Sequence, residues 1–413
     1  MSNVFQNPVM YTNECLAIAQ NNIVLGKRVN RMNEKEFAKS SFKIGDTLNV
    51  RRPAMFEQET ASVAFSAQAY TETSIPLVVN TQAHVDTSFT SAEMTLNLQD
   101  FSDRVLKPGI IRLAQGCDYA GYVNASNTVG NAVGTGVAPA AISELFDIGK
   151  KLDDFATPRD GDRSLAMDQG ATAKMVGLAT GFFNPQTQIS SQYKEGLFVD
   201  TTGTIGLVMG MSQNVNRHTV GVATGSPLTN TAQGLASGWA NTFDLDTDGW
   251  TNSTTGIVKA GDVFTIDTVY SVNPVTKQST GQLMQFCVVE DANSGASTGP
   301  ATITITPAPI YDGPFQNINV QIADGKTITV LGTGGSTYAD NIAWHKSAFQ
   351  LAVVPLEDMS PFGTWGAVRS QDGFSLRVVR QALISSDTVA NRVDMLYGWA
   401  TVRPEWATKY RTA

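Results

Sequence analysis

Between about residues 221 and 340 the chain loses every trace of helical spacing, and this gap constrains its folding more than any other feature. The stretch is dense in Thr, Gly, Ser and Asn. Apolar runs recur at "DVFTIDTVYSV", "LMQFCVVE", "ATITITP", "INVQI" and "TITVLG", separated by turn residues. Five short strands at such close spacing predict a small barrel or sandwich. Mixed helix-and-strand patterns lie on both sides of it. The sequence therefore describes a β-module inserted into a loop of an α+β domain.

The flanks support that division. Residues 12–31 carry Leu16, Ala19 and Ile23 at helical spacing, with Thr12 as the expected N-cap. "KIGDTLNVRRPAMF" (43–56) predicts a strand ending at a proline, and "SIPLVVNTQAHVDTSF" predicts its return after a polar stretch too long for a tight hairpin. The result is an extended loop. "SDRVLKPGIIRLAQGCDYAGYVNA" (102–125) places Leu106, Ile110, Leu113, Cys117 and Ala120 on one stripe, with Pro108 in the first turn. "ISELFDIGKKLDDFATP" predicts a shorter helix with Ile142, Leu145, Phe146, Leu152 and Phe155 inward and Asp147, Lys150, Lys151 and Asp154 outward. From "SLAMDQG" to about Val220, strands alternate with loops. Helical spacing resumes at "NIAWHKSAFQLAVV", and strands close the chain at "FSLRVVRQAL" and "RVDMLYGWATV".

Charge narrows the function. There are 29 Lys plus Arg against 37 Asp plus Glu, a net charge of -8, and no basic stripe of the kind that grips nucleic acid. Cys15, Cys117 and Cys287 are distant and odd in number, as expected of buried thiols in a reducing compartment. The opening "MSNVFQNPVMYTNE" lacks a signal-peptide pattern, and no apolar run approaches a membrane span. A soluble protein made in a cytoplasm is expected.

No motif supplies catalytic chemistry. "DLDTDGW" sets Asp244, Asp246, Asp248 and Gly249 at the first, third, fifth and sixth positions of a calcium loop, but Thr255 stands where a bidentate Glu is needed. A tight turn is the simpler reading. "GASTG" around Ser297 lacks the strand-to-helix context of a nucleophile elbow and reads as a surface turn. His84, His218 and His345 are far apart, and "GNAVGTG" and "DGKTIT" lack the phosphate-loop context. Arg51 and Arg52 could meet a phosphate, though adjacent arginines are more often ion-paired or solvated. Neither enzyme activity, metal nor cofactor is expected.

The order of these parts resembles the major capsid protein of tailed double-stranded DNA bacteriophages, in the lineage with an inserted β-barrel. "AGDVFTIDTVYSVNPVTKQSTGQLMQFCVV" is similar to the start of that barrel, "KPGIIRLAQGCDYAGYV" to the spine helix, and "DGFSLRVVRQALISSDTVANRVDMLYGWATVRPEWA" to the closing segment. The resemblance implies a fold with an N-terminal arm (1–42), an extended loop (43–90), a peripheral and axial core (91–220), an inserted barrel (221–340) and a return to the core (341–413). It also implies a subunit of pentamers and hexamers in an icosahedral head, found in the virion and assembled in the bacterial cytoplasm. The implied partners are copies of itself, scaffolding and portal proteins, and packaged DNA as passive, non-specific content, without a membrane. On this reading "FDLDTDGW" projects as a loop toward the next capsomer, and Asp244, Asp246, Asp248, Arg51 and Arg52 are inter-subunit contact candidates. A shell protein of a non-viral compartment or gene-transfer particle shares the pattern. A β-rich adhesin would match the composition but should carry a secretion signal, and a cytoplasmic hydrolase should show a catalytic cluster.

Overall fold

The computed structural model describes residues 8–31, 47–56, 72–90, 107–134, 136–179, 208–383 and 385–413. Helix α1 (Pro8–Asn21) is followed by strands β1 (Thr47–Arg52), β2 (Thr73–Val78) and β3 (Thr81–Thr90). Next come α2 (Lys107–Thr128), β4 (Ala132–Val133), α3 (Ser143–Asp154), β5 (Arg163–Met167), α4 (Gln169–Ala179), β6 (Val208–Met211) and β7 (Asn216–Thr219). A run of strands follows: β8 (Gly225–Thr229), β9 (Phe243–Trp250), β10 (Val263–Val272), β11 (Ser279–Val288), β12 (Ala301–Thr306) and β13 (Ile328–Val330). The chain closes with β14 (Thr337–His345), β15 (Phe349–Val354), β16 (Trp365–Gln371), β17 (Phe374–Leu383), β18 (Thr388–Thr401) and β19 (Ala407–Thr412).

Two units divide the chain. The first, residues 1–49, 76–121 and 350–400, is built on an antiparallel sheet in which β18 pairs with β17, β15 and β3. Ten residues of β3 run in register along β18, from Thr81 opposite Tyr397 to Thr90 opposite Thr388. Asp394, fully buried on β18, accepts both arms of the Arg377 fork at 3.0 and 2.6 Å and a bond from Gln82 at 3.0 Å. Such a shared carboxylate fixes strand register, because a one-residue slip would strand a buried charge. Asp118 of α2 accepts the amide N–H groups of Val24 and Gly26, which ties down the turn after α1.

The second unit holds residues 50–75, 122–349 and 401–413. One sheet runs β4-β19-β14-β5-β6, with β7 also on β14, and α3 packs Leu145, Ile148 and Leu152 against Leu165, Met167, Ala343 and Tyr410. The other runs β13-β10-β11-β12-β9-β8. Its two outer strands approach each other, for the Thr229 N–H donates to Lys326 O and the Gly325 N–H to Thr229 O, both at 2.9 Å. This curls the sheet into a near-barrel and shields its edges. Alternation fills the inside: Leu245 and Thr247 of β9, with Ile303 and Ile305 of β12, point inward among Phe264, Phe286 and Ile266.

Several local expectations need correction. Helix α1 begins at Pro8, so Thr12 lies inside it and is buried rather than capping it. "NIAWHKSAFQLAVV" forms β14 and β15, because a strand buried on both faces shows no two-residue period and imitates a buried helix. "INVQI" makes only isolated bridges, at Ile318 and Ile322. Helix α4 stands where strands and loops were expected, and "DLDTDGW" lies in strand β9, neither a turn nor a projecting loop. On α3, Phe146 is 48% exposed and Ile148 takes its inward place. Lys151, assigned to the outer face, is buried instead. The predicted Leu106 lies outside the described residues, as do residues 57–71 of the extended loop.

Among the described residues no carboxylate is hydrogen-bonded to Lys151. Its ammonium sits 3.4 Å from Gln282 Oε1 and 5.9 Å from the Phe155 ring centre. Burial lowers its pKa to about 8, with nearby Asp154 working the other way. Because the folded value lies below the unfolded one, the unfolded chain holds more protons between the two. Stability therefore rises as pH climbs through that window. Lys151→Met is expected to stabilise the subunit by about 1–3 kcal/mol at pH 7 and to abolish the rise between about pH 8 and 10. Chemical denaturation at both pH values reads the difference.

Candidate assembly surfaces and the seat of the inserted module

The near-barrel leaves the sheet of its unit after β7 and rejoins it at β14. Inbound and outbound segments lie against each other. The Val220 N–H donates to Ser336 O at 3.0 Å, and the Gly335 N–H returns to Val220 O at 3.1 Å. A Cβ at Gly334 would lie 2.3 Å from Val222 O, so only glycine lets the two backbones meet.

Beneath this neck lies a buried polar cluster. Arg411 of β19 donates from Nε to Asp340 at 2.9 Å, from Nη1 to Leu331 O at 3.0 Å and from Nη2 to Gly261 O at 2.9 Å. Ser126 of α2 donates to the other Asp340 oxygen at 2.6 Å. Lys409, two residues before Arg411 and on the same face, reaches the same Gly261 carbonyl at 2.9 Å and lies 3.5 Å from Cys287 Sγ. Burial pushes the Cys287 thiol above its ordinary value, and the cations partly oppose that shift, so the thiol is an inert filler.

Asp262 performs the matching task from the module side. His218 Nε2 lies 2.7 Å from its Oδ1, while the amides of Gly221 and Lys259 donate to Oδ2 at 2.9 and 2.8 Å. Burial works to raise this carboxyl, but the bonds from His218 and the two amides prevail and hold it below the usual range. The side-chain amide of Gln285 exchanges two 2.9 Å bonds with the backbone of Ala132, extending the strand pattern across the seam.

The candidates named from sequence occupy two different settings. Asp244 and Asp246 are exposed on the outer face of β9, each accepting 2.8 Å from a threonine of β12 (Thr304 and Thr302). Among the described residues neither they nor Asp248 meets a cation. Arg51 is 79% exposed and paired loosely with Glu72 at 3.4 Å. Arg52 is buried, ion-paired with Glu405 and stacked 5.2 Å from the Trp239 ring centre. It therefore spends its charge within its own chain. Each histidine has a separate aspartate: His84 with Asp86, His218 with Asp262, His345 with Asp160. Among the described residues no group of acidic, histidine or cysteine side chains could hold a metal ion, and no helix is long and apolar enough to cross a membrane.

The sequence model described as "P22 coat protein - gene protein 5" matches residues 2–408, nearly the entire chain. The chain belongs to the P22 coat protein family. A curated relative, the major capsid protein of Acyrthosiphon pisum secondary endosymbiont phage 1, is 27% identical over 176 residues, which are 41% of this chain and 41% of that protein. The alignment thus spans about two fifths of the relative's length. Among solved structures, one from Mycobacterium phage Che8 aligns with 94% of this chain and 90% of its own, at 13% identity and a TM-score of 0.47. The CUS-3 coat protein I-domain aligns with 26% of this chain and 96% of its own, at 23% identity and a TM-score of 0.19.

The residues seating the module of this coat-family chain were missed from sequence. Arg411, Lys409, Asp340 and Asp262 lie scattered over 150 positions and carry no motif; the one local signal is the period-two placement of Lys409 and Arg411 in the final strand. Because the folded pKa of Asp262 is depressed, its contribution is present above the unfolded value of about 4 and is lost as pH falls through the folded value. Asp262→Asn is expected to cost about 2–3 kcal/mol at pH 7 and to flatten the acid limb of the stability profile, as read by urea unfolding from neutral pH downward.

Proposed function

We propose that this coat-family chain is the major structural subunit of a tailed-phage head, joining copies of itself as pentamers and hexamers in an icosahedral shell around double-stranded DNA. The single observation that carries the reading is the family match across residues 2–408, which spans the inserted strands and both flanks. The seat described above suits such a subunit. A module clamped by buried, directional bonds presents its outer face at a fixed angle, and a shell needs fixed angles repeated in every copy.

In this reading residues 1–42 form the arm, 43–90 the extended loop over a neighbour, 91–220 and 341–413 the peripheral and axial core, and 221–340 the inserted barrel. Scaffolding and portal proteins are its further partners, the host cytoplasm its place of assembly, and the virion its destination. The net charge of -8 favours a lining that encloses DNA without adhering to it. Free energy comes from many modest contacts, with ordering of segments upon neighbours.

Electron microscopy of the full-length chain at rising concentration, alone and with the scaffolding protein, tests the reading. Closed shells or discrete capsomers are expected; a chain that stays a single compact copy under all these conditions contradicts it. The outer β9 carboxylates supply a second test. Charge-neutral replacement of Asp244, Asp246 and Asp248 together is expected to weaken contacts between capsomers while leaving subunit unfolding within about 0.5 kcal/mol of wild type. Sedimentation and thermal melting separate the two effects.

A further inference from the structure

The segment between β18 and β19, "RPEW" (403–406), holds two aromatic-stacked guanidinium groups around one carboxylate. Arg52 lies over Trp239 and takes Glu405 as its ion-pair partner. Arg403 lies over Trp406, its guanidinium carbon 3.9 Å from the ring centre. Trp406 is itself held edge-on by His345, at 5.2 Å between ring centres, and His345 is held by Asp160 at 3.1 Å. Arg403 is thus positioned on a braced platform.

Among the described residues it meets no acceptor. In the same set Arg377 is satisfied by Asp394 and Glu357 O, and Arg411 by Asp340 and two carbonyls. Arg163 pairs with Asp153 and two carbonyls through Nε and Nη2 but leaves Nη1 unpartnered. Arg380, half-buried 5.0 Å from the Trp365 ring centre, leaves its Nε unpartnered. The Arg403 guanidinium is half-buried and, among the described residues, makes neither a hydrogen bond nor an ion pair. Burial lowers its pKa, Arg52 adds to that effect, and Glu405 opposes it without reversing it. Two cations and one carboxylate leave one positive charge uncompensated, and a planar five-donor group held on an indole is preorganised for a planar, bidentate acceptor.

We propose that Arg403 receives a carboxylate side chain from a second copy of this chain, completing a carboxylate–guanidinium row with Arg52 and Glu405. The proposal rests on the shell-building reading above. A carboxylate fits better than a nucleic-acid phosphate. The surplus is one charge, Glu405 beside it repels a polyanion, and the chain carries 37 acidic against 29 basic residues. Exposed carboxylates without a cation, such as Asp244 and Asp246, exist on every copy.

The test uses the full-length chain with Arg403→Met, Arg403→Lys and Arg403→Glu. Assembly is followed by sedimentation and microscopy, and the melting of unassembled subunits is followed in parallel. Arg403→Met is expected to raise the concentration needed for assembly at least about tenfold, Arg403→Glu further, and Arg403→Lys less, with subunit melting little changed. The gap between wild type and Arg403→Met should shrink near 1 M salt, where the screening length is about 3 Å. Wild-type shells with Arg403→Met and Arg403→Lys assembling at the same concentration would overturn this proposal alone. So would loss of assembly that merely tracks a lowered melting point, or normal shells that retain less DNA, which would make phosphate the ligand. A wild-type chain that never associates would overturn both the proposal and the shell reading.

Discussion

One guanidinium with no route to solvent organises the larger unit of this protein. Arg411 faces three acceptors that belong to different parts of the chain: Asp340 on β14, the carbonyl of Leu331 where the module returns, and the carbonyl of Gly261 in a module turn. Removing any one acceptor leaves a buried cation short of a bond, at a cost of order 3–5 kcal/mol if the carboxylate is lost. A hydrophobic seam of equal area would hold the module as firmly but would let it slide. The directional bonds of Arg411, together with those of Lys409 and Asp262, admit one orientation.

That arrangement accounts for what β9 does with its aspartates. Leu245 and Thr247 are committed to the interior, so the period of a strand sends Asp244 and Asp246 to the outside. Thr302 and Thr304 on the neighbouring strand hold these carboxylates upright without neutralising them. A negative outer face on a rigidly seated module suits contacts that select a register and a neighbour more than they add strength. Arg403, braced over Trp406, is a half-buried positive group that meets no acceptor among the described residues.

Sequence carried the class of the fold and much of its middle. The strands at 262–272, 283–290 and 301–307 were legible because half-buried strands alternate, and the spine helix because Ile110, Leu113 and Cys117 repeat on one face and all are buried. Reading failed where burial is two-sided, as in β14 and β15, and where a local pattern imitates another motif, as in "DLDTDGW". Lys151 was misplaced because helical spacing alone cannot tell that a second element covers the outer face of α3. The seat itself was not legible at all. Gly261, Leu331, Asp340 and Arg411 meet only through long-range topology, and two of the three acceptors are backbone carbonyls that any residue could supply.

Native-state hydrogen exchange tests the clamp most directly, by comparing the amides of Gly221 and Lys259, which bond to Asp262, with those of Asn341 and Ala343 in the central strand β14. If the module is clamped as described, all four exchange with the free energy of global unfolding, as one cooperative block. Exchange of Gly221 and Lys259 through a separate opening several kcal/mol cheaper than that of β14 would show a loosely hinged module and contradict the account.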